Sequence, residues 1–103
     1  MNSKRAICIA PDHPAFAGHF PGNPILPGVI LLDEALHAIE VDLDLDLRQW
    51  QIAAAKFLGF IRPGETLTIE HTAPEGGLIR FTVRAADRAA LTGTLSLAPA
   101  GGT

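Results

Sequence analysis

The segment that most constrains this chain is Gly28–Glu40 (GVILLDEALHAIE), because its apolar residues cover more than one helix face. Val29, Leu32, Leu36 and Ile39 follow helical spacing on one side, and Ile30, Leu31, Ala35 and Ala38 make a second apolar side. Pro27 precedes it at a natural helix start, where its missing N–H deprives no backbone partner. A helix that is apolar nearly all round has to be buried, so the rest of the chain must wrap it. Its 13 residues make a rod about 20 Å long at ~1.5 Å per residue.

The material available to wrap it reads as strands. Lys4–Ala10, Gln51–Ile61, Thr66–Thr72, Leu78–Ala86 and Ala90–Leu97 are the expected ones, with turns at Arg62–Glu65 and Pro74–Gly77. Ile79, Phe81 and Val83 alternate with Arg80, Thr82 and Arg84, and Leu91, Leu95 and Leu97 with Thr92, Thr94 and Ser96. One apolar and one polar face is the pattern of an antiparallel sheet packed on one side. Val41–Leu47 (VDLDLDL) alternates too, but is read as the helix end and a short extended connection, with its aspartates in water. The expectation is an α+β fold, an antiparallel sheet wrapped around one central buried helix, as one domain over residues 1–103. A chain of this size buries only roughly 60–70% of its unfolded surface, so covering a further apolar face against a second copy would help it.

Charge narrows the partners. A net charge of −3 and a pI near 5.7 lack the basic footprint that nucleic-acid binding needs. They leave open an acidic protein partner, because docking depends on a local patch. Cys8 is alone and reads as a small buried side chain in the run Ala6–Ala10, which is too short for a signal peptide or a membrane span. A cytoplasmic location, no membrane contact, no cofactor and no metal are expected.

The chemistry lies in His13–Leu36 (HPAFAGHFPGNPILPGVILLDEAL). Pro11, Pro14, Pro21, Pro24 and Pro27 make the stretch before the helix a stiff, ordered loop. That loop holds His19, and fourteen residues on Asp33 stands in the apolar helix. A carboxylate among Leu31, Leu32, Ala35 and Leu36 is costly unless paired, hydrogen-bonded or protonated. His37, one turn on, is within reach of it. Each feature has a plain structural reading: His19 held by carbonyls, Asp33 capping a turn, the prolines shaping a loop. Their combination points to a base and an acid placed for catalysis.

Gly18, His19, Phe20, Gly22, Pro24, Pro27, Gly28 and Asp33 make a pattern that closely resembles the active-site segment of FabA- and FabZ-type 3-hydroxyacyl-acyl-carrier-protein dehydratases. Ala55-Lys56-Phe57 followed by Arg62-Pro63-Gly64-Glu65 resembles the family's motif in the strand after the helix. The short length and the LLDEAL helix look similar to the small dehydratases of aryl-polyene pathways. The resemblance implies a hotdog fold and a homodimer or higher homo-oligomer, with sites where the histidine of one subunit meets the carboxylate of the other. It implies that His19 takes the α-proton of an acyl thioester on acyl carrier protein, that Asp33 helps the 3-hydroxyl leave, and that the Gly28 N–H polarises the thioester oxygen. Phe20, Pro27, Val29 and Phe57 would contact the acyl chain. His37 stands where the family often has glutamine, and is either a third titratable group or an ordinary interface residue. Arg48, Lys56, Arg62, Arg84 and Arg88 are candidates for docking the acidic carrier. His13 and His71 read as ordinary surface or sheet histidines, and Trp50, Phe57 and Phe60 as core, interface or tunnel wall. The alternatives are a hotdog thioesterase, against which the proline-rich histidine loop speaks, and a non-catalytic hotdog that binds carrier protein, against which the presence of both His19 and Asp33 speaks.

Overall fold

The computed structural model describes residues 2–8, 28–62 and 64–97. Residues 9–27, with His13, His19, Phe20 and Pro27, and the side chain of Cys8 lie outside the described residues.

Five strands form one antiparallel sheet: β1 (Asn2–Cys8), β2 (Trp50–Phe57), β3 (Thr66–Thr72), β4 (Leu78–Ala85) and β5 (Arg88–Leu97). They lie in the order β1-β3-β4-β5-β2, so β1 and β2 are the edges. The helix α1 spans Gly28–Leu43 and is 16 residues long, three residues beyond its expected end. Its Leu31, Ala35, Ala38 and Ile39 pack with inward residues of the sheet, among them Leu67 and Ile69 of β3, Ile79, Phe81 and Val83 of β4, and Leu91 and Leu95 of β5. This is the hotdog arrangement, a sheet laid around one helix. The covering differs from the expectation in one respect. Only the sheet side of α1 is buried, while Val29, Asp33, His37, Glu40 and Val41 form an exposed stripe on the other side.

VDLDLDL gives its three aspartates three tasks. The helix runs on through Asp42 and stops where Asp44 adopts a left-handed backbone, with φ 52°. The Leu45 N–H then donates to the Glu40 carbonyl at 3.2 Å, which satisfies a carbonyl left over at the helix end. Asp46 caps a short 3-10 turn, Leu47–Gln49, by accepting from the Arg48 N–H. Asp42 is not in water as expected. Its side chain is only 14% exposed and meets the fully buried ring of His71 on β3 at 3.0 Å, and the Arg5 Nε of β1 at 2.6 Å. His71 Nδ1 in turn lies 3.2 Å from the Thr72 carbonyl oxygen. This cluster ties the C-terminal half of α1 to β1 and β3.

A bulge at Ala53 decides which way β2 presents its side chains. Ile52 pairs with Leu95 and Ala54 with Thr94, leaving Ala53 as the extra residue. The parity of the strand therefore flips. Phe57 comes opposite Leu91 on the helix side, and Lys56 opposite Thr92 on the outer side.

The β4–β5 hairpin closes through Ala86 and Asp87, between paired Ala85 and Arg88. Ala86 holds φ 54° there. A left-handed backbone at a residue with a Cβ is strained by roughly 1–2 kcal/mol. Ala86→Gly is accordingly expected to raise stability by about 0.5–1 kcal/mol once glycine's greater unfolded entropy is deducted. Thermal unfolding followed by circular dichroism checks this, and an unchanged or lower Tm contradicts it.

Candidate active site

The helix tip is built by close approach. A Cβ placed on Gly28 would meet the Phe57 ring, with Cε1 at 2.9 Å and Cδ1 at 3.1 Å. The glycine therefore lets the ring of β2 lie directly against the first turn of α1. The first turn carries no acidic side chain. Backbone N–H groups at a helix start lack helical partners and carry the positive end of the dipole, so this tip can polarise an oxygen. Phe57 is 49% exposed and Val29 69% exposed, and together they give the tip an apolar, uncovered rim.

Asp33 stands one turn along from Val29 on the exposed stripe. With Glu34, Leu36, His37, Glu40 and Leu47 it lines a cavity of about 400 Å³. The expectation of a carboxyl group buried in apolar surroundings is corrected here: in the single chain Asp33 is exposed. The reason is geometric, since one sheet can cover only one side of a helix. Asp42 lies nine residues on, about 180° round the axis at ~100° per residue. It faces the sheet while Asp33 faces away, so the Arg5–Asp42–His71 cluster fixes the rotation of α1 that presents Asp33 outward.

Of the expected site residues, the structure brings Gly28, Val29 and Phe57 together at the helix tip and sets Asp33 and His37 beside one cavity. His19, Phe20 and Pro27 lie outside the described residues. Among the candidate docking cations, Arg48 is paired with Asp46, Arg84 with Glu70 and Arg88 with Glu65. Trp50 packs against the core, and Phe60 is 64% exposed. Sequence reasoning missed the Asp42–His71 pair. The available signal was parity: His71 falls in step with Leu67 and Ile69, the inward residues of β3, and a buried imidazole needs an acceptor.

Comparison with known proteins agrees with this architecture. A stretch covering 55% of this chain is 43% identical to 3-hydroxyacyl-[acyl-carrier-protein] dehydratase FabZ of Latilactobacillus sakei and spans 46% of that protein. FabZ of Lactobacillus helveticus is 31% identical over 79% of this chain and 62% of its own length. The chain thus spans about half to three-fifths of these relatives. Among solved structures, the dehydratase heterocomplex ApeI:P from Xenorhabdus doucetiae contains a chain that superposes with a TM-score of 0.76 at 27% identity, covering 95% of this chain and 88% of that one. The family described as ApeI-like, ApeI dehydratase, matches residues 2–94. On that match, which takes in the helix, four whole strands and most of β5, the chain belongs to the ApeI-like dehydratase family.

Proposed function

We propose that this chain dehydrates 3-hydroxyacyl thioesters carried on acyl carrier protein to trans-2-enoyl thioesters, in a site completed by a second subunit. The observation that carries the reading is the outward stripe of α1. Asp33 stands on a face that the described residues leave uncovered, one turn from a helix tip able to hold a carbonyl oxygen. Val29 and Phe57 at the tip and Ile52 on the edge strand β2 are exposed apolar surface, which favours closure by another subunit.

In this mechanism the Gly28 N–H donates to the thioester oxygen, which draws off charge as the α-carbon loses its proton to His19. The α-carbon electron pair forms the C=C bond, the β-carbon–oxygen bond breaks, and Asp33 of the second subunit supplies the proton with which the hydroxyl leaves as water. Histidine suits the base near neutral pH, and a carboxylic acid kept from water by the closing subunit suits the acid. The reading places the protein in the cytoplasm with its carrier. A second reading, in which the closing subunit is a different hotdog chain, is favoured by the likeness to a chain of the ApeI:P heterocomplex.

The test is a 3-hydroxyacyl carrier-protein substrate, with enoyl product followed by mass spectrometry and free thiol by a trapping dye. Enoyl product without thiol release is expected. Thiol release in its place assigns a thioesterase, and neither product assigns a binding subunit.

A further inference from the structure

The outer face of the sheet carries a charge opposite to that of the whole chain. In the strand register, the outward row Lys4, Glu70, Thr82, Thr92 and Lys56 crosses all five strands. Arg80 and Arg84 point outward in the flanking rows of β4. Lys4, Lys56, Arg80 and Arg84 thus face one strand carboxylate, Glu70, on a chain whose net charge is −3. Glu70 is already held by Arg84 at 2.8 Å and Lys4 at 3.4 Å. Lys56 and Arg80 are exposed, pair with no carboxylate among the described residues, and flank a depression of about 290 Å³ lined also by Thr82, Thr92 and Thr94.

We propose that this face is a docking surface for an acidic protein, namely the carrier that brings the thioester; this rests on the function proposed above. Charge complementarity selects the class of partner, and the polar residues between the outward charges set the manner of binding. Of the exposed large apolar side chains, Val29, Val41, Ile52 and Phe57 belong to the helix side and Leu58, Phe60 and Leu97 lie at or beyond the strand ends, so that within the described strands threonine, serine, glutamine and alanine stand between the outward charges. A contact made this way is electrostatic, fast and reversible, as suits a partner that must deliver and leave. Position supports it as well. Lys56 is outward on β2, and its chain neighbour Phe57 turns to the other side of the same edge strand, onto Gly28. A carrier seated at Lys56 is one strand's thickness from the helix tip.

The experiment compares the wild type with Lys56→Glu/Arg80→Glu. It measures binding of fluorescently labelled acyl carrier protein, and turnover of one 3-hydroxyacyl group on that carrier and on N-acetylcysteamine. Weakening of carrier binding by about tenfold is expected, with KM for the carrier substrate raised similarly, kcat retained, and the small thioester turned over as before. Raising salt to 0.3 M should weaken the wild type and leave the double variant little changed, because contacts of this kind are screened beyond roughly 6–8 Å. Arg48→Glu, which reverses a charge away from this face, should bind carrier normally. Carrier binding that is absent in the wild type, or indifferent to the double reversal, overturns the docking surface. Loss of binding to anionic vesicles or duplex DNA with carrier binding untouched also overturns it. A wild type that turns over neither substrate, yet binds carrier through Lys56 and Arg80, keeps the surface and sinks the catalytic reading.

Discussion

Asp33→Asn is expected to slow dehydration of a carrier-bound 3-hydroxyacyl thioester by about 10²–10⁴-fold, the usual worth of a positioned acid. The amide keeps the size of the side chain and loses the proton that the departing hydroxyl requires. Asp33 is exposed on the outward stripe of α1, so Tm should stay within about 2 °C, as for other surface changes. His19→Ala should lose turnover to a similar extent by removing the base. Combining the two inactive variants gives a sharper result. If the histidine of one subunit works with the carboxyl group of another, a homodimer of mixed subunits holds one site with both native residues. Random reassociation should then restore about a quarter of wild-type activity. Initial rates on a 3-hydroxyacyl carrier substrate, before and after subunit exchange, provide the measurement. Full activity in Asp33→Asn removes the acid from the mechanism, and no recovery on mixing removes the shared site.

How much of this could be read from the residues depends on the range of the interactions involved. The strict alternation of Thr66–Thr72 between turns delimits β3 to the residue. Periodicity predicts α1, which ends later than expected, since a left-handed Asp44 gives no compositional signal of the kind a glycine would. The bulge at Ala53 sits in Ala53-Ala54-Ala55, where inward and outward residues look alike, so nothing in the pattern shows that the parity flips. The Asp42–His71 contact joins residues 29 positions apart, which a local pattern does not reach. The pattern places Asp33 on the helix, where it stands, while its apolar neighbours suggest burial on every side. Composition reports what a face prefers, and a single sheet satisfies that preference on one side only.

Asp42→Ala should lower stability markedly by breaking the cluster that ties α1 to β1 and β3. It takes the carboxylate from an imidazole whose side chain is 0% exposed and from an Arg5 side chain that is 42% exposed. Removing one partner of a buried pair costs about 3–5 kcal/mol when both are fully enclosed. With Arg5 partly in water, about 2–3 kcal/mol is the expected loss. For a domain of this size that lowers Tm by roughly 10–20 °C. Asp42→Ala/His71→Leu, which removes the stranded imidazole too, should recover part of the loss, as it would not if Asp42 mattered only through Arg5. The pH dependence has a fixed sign. The hydrogen bond from Arg5, with a further one from His71, holds the Asp42 carboxyl below its usual range against the opposing effect of burial. A depressed carboxyl contributes stability that is fully present above its unfolded value of about 3.9 and is lost as pH falls through its folded value. The gap in Tm between wild type and Asp42→Ala should therefore be widest above about pH 4 and narrow on further acidification. Asp46, Glu65 and Glu70 are held low by Arg48, Arg88 and Arg84 respectively. They acidify alike in both proteins, so the difference isolates Asp42. Two Tm curves that run parallel from pH 5 to pH 2.5 would show that the ion pair contributes nothing to holding α1 against β1 and β3.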